Sequence, residues 1–147
     1  MKLSTRTRYG ARAMLDLALR ADPGPVSTKE IATNQQVSVK YLESVLASLR
    51  KAGLVRSLRG AGGGHVLAKP ADEITLRDLF EVLEGTEALV PCSYEPELCD
   101  RAALCVTRDV WTEMYAAAMA VLGNITLAEL ARRAREKEGS LASMYYI

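Results

Sequence analysis

Six consecutive residues, Arg59-Gly60-Ala61-Gly62-Gly63-Gly64, hold four glycines and stand between two short β-prone runs, Leu54 to Leu58 and His65 to Ala68. Such a block cannot continue a helix, because each glycine gives up a large backbone entropy on ordering. Flanked as it is, it predicts a two-stranded hairpin with a flexible tip. It does not precede a helix, so it serves as a turn and not as a phosphate-binding glycine fingerprint.

The chain before the hairpin is helical. A first helix is expected over about residues 4–20, capped by Ser4 or Thr5, with Tyr9, Ala13 and Leu17 on one stripe and Asp22-Pro23-Gly24-Pro25 as its stop. Ser27 and Glu30 have capping-box spacing, and Val26 with Ile31 can form the hydrophobic staple of a short helix over 27–34. After the polar turn Asn34-Gln35-Gln36-Val37, Ser38 can cap a third helix running to about Lys51. Val39, Leu42, Val45, Leu46 and Leu49 give it a core stripe; Lys40, Tyr41, Glu43, Ser44 and Arg50 fall on the opposite face. A short helix, a turn, a second helix and then a basic hairpin describe a winged helix–turn–helix. The fold class read from this pattern is mainly α with a small β-hairpin.

The second half is organised differently. Thr75 caps a helix ending near Gly85, and Pro91 and Pro96 make the stretch after it a loop. A long helix resumes from about Cys105 to Leu122. Val106, Val110, Met114, Ala117, Ala118 and Val121 form its stripe, widened by Trp111, Tyr115 and Leu122. A stripe that wide suits either a subunit interface or packing within the chain. Thr126 and Glu129 mark a further helix to about Lys137, and residues 138–147 read as a loose tail. The organisation expected is a winged helix–turn–helix domain over 1–84, a cysteine loop over 85–105, the long helix with its follower over 106–137, and the tail over 138–147.

The charge divides along the same line. Residues 1–70 hold 12 Lys/Arg and 4 Asp/Glu, a balance of +8, and residues 71–147 hold 7 and 14, a balance of −7. A basic half points to nucleic acid. Base edges are read from the first turns of a recognition helix, where Lys40, Tyr41, Glu43 and Ser44 lie behind Ser38. Lys40 suits guanine acceptors, Ser44 either partner, and Glu43 a cytosine amino group. Thr28 and Arg56 are placed for backbone phosphates, Arg50 is a further DNA-binding candidate on the outer face of the third helix, and Arg59 with Gly60 suits a narrow minor groove. His65, the single histidine, is expected to pack or to touch DNA rather than to bind metal. No Ser/His/Asp set or paired carboxylates indicate an enzyme or a small-molecule substrate. No apolar run approaches a membrane span and the N-terminus lacks a signal-peptide core, so a cytoplasmic protein is expected.

The three cysteines, Cys92, Cys99 and Cys105, lie within fourteen residues in a C-x6-C-x5-C pattern. An odd, clustered set does not close a disulfide framework. It suits a centre on which several thiolates converge: an iron–sulfur cluster, or a zinc or thiol-redox site.

Several separated segments resemble a known family. They are the opening Met1-Lys2-Leu3-Ser4-Thr5-Arg6-Thr7-Arg8-Tyr9-Gly10, Val39 to Glu43, Leu49 to Val55, Arg59 to Gly64, the cysteines, and Asn124 to Leu130. In this order they resemble the bacterial winged-helix iron–sulfur regulators of the IscR, NsrR and RirA type over about residues 1–135. The resemblance implies a homodimer on near-palindromic operators. It also implies that Cys92, Cys99 and Cys105 ligate a [2Fe–2S] or [4Fe–4S] cluster, that the helix after Cys105 dimerises, and that Arg59 enters the minor groove. Two positions depart from it. Arg108 stands where IscR takes a histidine ligand, and Arg8 where NsrR-type proteins recruit an aspartate; a guanidinium cannot ligate. The first cysteine gap is also one residue longer than in IscR. The fourth ligand is left among Asp100, Asp109, Glu95, Glu97, a small thiol and solvent. The missing histidine favours [4Fe–4S].

Overall fold

The computed structural model describes residues 3–20, 24–85 and 90–144. The chain folds into helices α1 (Thr5–Leu19), α2 (Thr28–Gln35) and α3 (Val39–Lys51), strands β1 (Val55–Leu58) and β2 (Gly64–Leu67), and helices α4 (Leu76–Leu83), α5 (Val106–Gly123) and α6 (Leu127–Met144). Three short 3-10 turns, at Pro91–Ser93, Pro96–Leu98 and Ala102–Leu104, link α4 to α5. No helix among the described residues is long and apolar enough to cross a membrane.

The helix starts follow the capping logic. The hydroxyls of Ser4, Ser27 and Ser38 accept from the backbone N–H groups of Thr7, Glu30 and Tyr41. At Thr75 the capping box is complete: its hydroxyl accepts from the Asp78 N–H while the Asp78 carboxylate accepts from the Thr75 N–H. Glu30 does not reach back in the same way; it pairs with Arg20 at 2.7 Å. The α2–α3 turn rests on Gln36, whose φ of 55° lets its N–H close on the end of α2. The Asp22–Pro23 stop signal lies outside the described residues, and α1 ends at Leu19 with Arg20 extended.

One core joins the winged half. Met14, Ile31, Leu42, Val45, Leu46, Leu49, Ile74 and Leu79 are fully buried in it. Val39, expected in this stripe, is instead 39% exposed on the first turn of α3. Tyr41, expected on the outer face, packs against the core and sets its ring edge-to-face on Tyr9, centroids 6.2 Å apart. α1 crosses α4 closely at Gly10, where a Cβ would occupy the place of the Leu83 side chain.

The long C-terminal helices divide their loyalties. Leu127 of α6 is fully buried in the winged core, and Leu76 N–H to Ile125 O and Leu127 N–H to Ile74 O pin the α5–α6 junction to the start of α4. α6 runs on through Gly139 to Met144, seven residues past the expected end at Lys137, stitched by Arg132 and Arg133 to Glu129 and by Arg132 to Glu136. The last three residues of the expected tail lie outside the described residues. In α5 only Met119 is buried; Val106, Val110, Trp111, Met114 and Val121 are all exposed.

Candidate DNA interface and cysteine loop

The hairpin stands beside α3, with Val55 opposite Leu67, Arg56 opposite Val66, Ser57 opposite His65 and Leu58 opposite Gly64. Side chains alternate across a strand pair. Val55, Ser57, His65 and Leu67 therefore share the inner face, and Arg56 lies on the outer one. Arg59 and Gly60 are at the exposed tip, where Gly60 has φ +111°. The second strand is also sewn to the start of α2. Val26 N–H donates to His65 O at 3.0 Å, and His65 N–H donates to Val26 O at 2.7 Å. Gly64 makes this approach possible, since a Cβ there would collide with the Val26 backbone.

On α3, Lys40, Glu43, Ser44 and Arg50 are exposed on the side away from the core. Ser38 is exposed, with its hydroxyl committed to the cap. Ser44 is braced from behind by Arg6, which donates to its hydroxyl at 3.3 Å and also reaches Ser48. Thr28, on the first turn of α2, is half-buried and bonded to His65. Thr28, Glu43, Arg50 and His65 line one groove of about 280 Å³ between α2, α3 and the wing. Of the residues proposed for DNA from sequence, Lys40, Glu43, Ser44, Arg50, Arg56, Arg59, Gly60, Ser38 and Thr28 thus lie on exposed or groove-lining positions of the winged half, and Tyr41 is turned inward. The braces Arg6 and His65 carried no sequence signal beyond charge and rarity; they become visible only when α1 and β2 are folded onto their neighbours.

The cysteine loop hangs between α4 and α5. Cys92, Cys99 and Cys105 are all free and partly exposed. Cys105 is the N-cap of α5. Its Sγ lies 3.2 Å from the Thr107 hydroxyl. That hydrogen bond first, and then the Arg108 backbone N–H, lower the thiol below its usual range. Arg108 does not face the solvent as a spare charge: its Nε donates to the Cys92 carbonyl at 2.7 Å and ties the first cysteine turn to α5. Next to Cys92, the Ser93 hydroxyl is buried with no hydrogen-bond partner.

By donor chemistry this loop fits a thiolate-held centre: three free thiols, an unpartnered buried hydroxyl beside one of them and a helix N-terminus under another. Among the described residues, however, no three Cys, His, Asp or Glu side chains stand close enough to hold a metal ion. Asp100, Asp109, Glu95 and Glu97 therefore do not complete a site with the cysteines in this conformation.

A winged helix–turn–helix with a basic outer face, followed by a cysteine loop and an uncovered apolar helix, defines a DNA-binding transcriptional regulator. The chain belongs to the Rrf2 family, whose profile, described as an iron-dependent transcriptional regulator, matches residues 3–133. It is 47% identical over 134 residues to the protein rrf2 of Nitratidesulfovibrio vulgaris, covering 91% of this chain and 89% of that one. Among solved structures it is similar to the IscR of T. potens, at 41% identity and a TM-score of 0.76, with 93% of this chain and 90% of that one covered. It is also similar to CymR (YrzC), the global cysteine regulator of B. subtilis, at 39% identity and a TM-score of 0.75, with 90% and 98% covered.

Proposed function

We propose that this regulator binds a near-palindromic operator as a homodimer, acts as a repressor, and has its operator affinity set by an iron–sulfur cluster held by Cys92, Cys99 and Cys105. The observation that carries this reading is the placement of all three thiols on the one loop that joins the winged half to the exposed apolar helix α5. Once bound, such a cluster confers sensitivity to iron supply, redox state or nitric oxide.

The chain's own residues have distinct parts. Lys40, Glu43 and Ser44 meet base edges. Thr28, Arg50 and Arg56 take phosphates, and Arg59 with Gly60 enters the minor groove. Ser38 and Tyr41 set the start and tilt of the recognition helix. The uncovered faces of two α5 helices pair, which removes Val110, Trp111, Met114 and Val121 from water. Two recognition helices must then sit one DNA turn, ~34 Å, apart. A change in loop order that moves α5 by a few ångströms spoils that spacing, and a coupling of ~1–3 kcal/mol changes affinity about 5–150-fold.

The test is anaerobic purification followed by visible absorption with iron and acid-labile sulfide counts, on wild type and Cys99→Ala. Sulfur-to-iron absorption with matched iron and sulfide in the wild type alone supports the reading; the band shape separates [4Fe–4S], favoured here, from [2Fe–2S]. A second reading has its own support. The lowered Cys105 thiol, the unconverged cysteines and the likeness to a cysteine regulator favour a zinc- or thiol-redox-responsive regulator. A colourless protein whose operator binding responds to thiol oxidation or to zinc decides for it.

A further inference from the structure

His65 is the single histidine of the chain, and both of its ring nitrogens are in use. Nδ1 lies 3.0 Å from the Ser57 hydroxyl on β1, and Nε2 lies 2.9 Å from the Thr28 hydroxyl on the first turn of α2. Its backbone adds the two-way pairing with Val26. One residue therefore joins three segments: both strands of the wing and the start of the helix that precedes the recognition helix. Elsewhere the wing is held by its own ladder and by the Val55 and Leu67 side chains at its base. The tip that carries Arg59 is exposed and glycine-rich. Its direction is consequently governed by whatever fixes the strands at the level of His65.

We propose that His65 is a positioning residue for DNA binding: its imidazole locks the wing to α2, so that Arg59 on the wing and the Thr28–Arg50 groove engage one stretch of duplex together. The inference rests on the reading of the winged half as the DNA-contacting unit. The chemistry suits the task. Burial first, and then the charge of Arg50, lower the imidazole pKa, so the ring is neutral near pH 7. A neutral imidazole offers one donor and one acceptor, and a hydroxyl can complement either. The bridge closes without a buried charge. It also orients the Thr28 hydroxyl from behind, within the groove that Arg50 and Glu43 flank.

The experiment is a double-mutant cycle on the full-length dimer, with a duplex selected from a random pool on the wild-type protein. Dissociation constants are measured for wild type, Arg59→Ala, His65→Ala and the double variant, with thermal melts alongside. Removing a minor-groove arginine alone is expected to weaken binding about 5–100-fold. If His65 aims the wing, Arg59→Ala costs at least about 3-fold less in the His65→Ala background, because an unaimed arginine has less to lose. A merely structural role lowers the melting temperature and leaves the Arg59 effect unchanged. Equal Arg59→Ala effects in the two backgrounds overturn the proposal. If His65→Ala does not fold, Ser57→Ala takes its place in the same cycle: it removes the Nδ1 partner alone and is expected to shift the Arg59 effect in the same direction, and an unchanged effect again overturns the proposal. A wild-type protein that enriches no duplex overturns the DNA-contacting reading itself, and the positioning role with it, a result distinct from additivity.

Discussion

Replacing Arg108 by Gln separates the cysteine loop from α5 while leaving the cysteines in place. The Arg108 Nε donates to the Cys92 carbonyl at 2.7 Å across sixteen residues, in a half-buried setting. A hydrogen bond with one charged partner nets ~1.5–3 kcal/mol, and partial exposure reduces that to ~1–2 kcal/mol. Within the loop the Cys92 turn is also tied by backbone bonds, among them Ser93 N–H to Val90 O and Tyr94 N–H to Pro91 O. The loss therefore falls on local opening of the loop and not on the core. At 1.4 kcal/mol per decade, the opening constant of residues 90–99 rises about 5–30-fold. Native-state hydrogen exchange measures it directly. Amides of Ser93, Tyr94 and Cys99 should exchange faster by that factor, while those of Leu42 to Leu49 in α3 keep their rates. A rise below about twofold in the loop, or an equal rise in α3, refutes the latch. Arg108→His extends the test, because the family resemblance implies a histidine ligand at this position. That variant is expected to lose iron more slowly than wild type under chelator challenge.

Three further outcomes are expected. Gly64→Ala should destabilise the protein by more than ~1 kcal/mol, since φ is +157° there and a Cβ meets the Val26 backbone, whereas Gly62→Ala, with open space around it, should leave the melting temperature nearly unchanged. Val110→Glu, on a residue 55% exposed in α5, should leave the helix content intact and convert the protein to a monomer in sedimentation velocity. Hydrogen bonds from Arg132 first, and then from Arg133, hold the Glu129 carboxyl down at about 2. With a folded pKa below the unfolded one, its contribution is full above the unfolded value of ~4.3 and is lost as pH falls from there toward 2. Glu129→Gln should therefore lower the melting temperature at pH 7 in low salt, with the difference fading on acidification and at high salt.

The winged half was legible because its signals are local. Ser4, Ser27, Ser38 and Thr75 announce helix starts through hydrogen bonds three residues away, and the glycine block announces the hairpin without reference to anything distant. The failures are long-range. Tyr41 reads as outward on a helical wheel, yet Tyr9 of α1 gives it an aromatic partner and draws it in. The close crossing of α1 and α4 at Gly10 had no counterpart in the sequence reading. Met119, absent from the expected α5 stripe, is the one α5 side chain that reaches its own chain's interior. The stop expected near Lys137 rested on reading residues 138–147 as a loose tail, whereas α6 runs on to Met144. In the cysteine loop, spacing alone shows that three thiols are near one another in sequence. Whether they converge depends on three 3-10 turns whose geometry no spacing rule encodes.

Those turns bear on how the proposed regulation acts at this place in the fold. Among its described residues the loop contributes one buried apolar side chain, Ala102, and leaves Leu98 and Leu104 63% and 90% exposed. Little packing energy opposes its rearrangement. Its α4 end, by contrast, is fixed. α4 is capped at Thr75 and buries Leu79, Phe80 and Leu83, and α5 starts on Cys105 itself. α5 in turn ends at a junction bonded to Ile74 and Leu76, next to the same core that seats Leu42, Leu46 and Leu49 of the recognition helix. Drawing Cys92 and Cys99 toward Cys105 therefore acts on the first turn of α5 with the far end of that helix held. A helix restrained at one end and pulled at the other tilts, and the exposed Val110–Val121 face tilts with it. In the proposed dimer that face sets the distance between the two recognition helices. The soft loop is thus cheap to reorder, and the helix attached to it is long enough for a small displacement at Cys105 to alter how the two halves meet the operator.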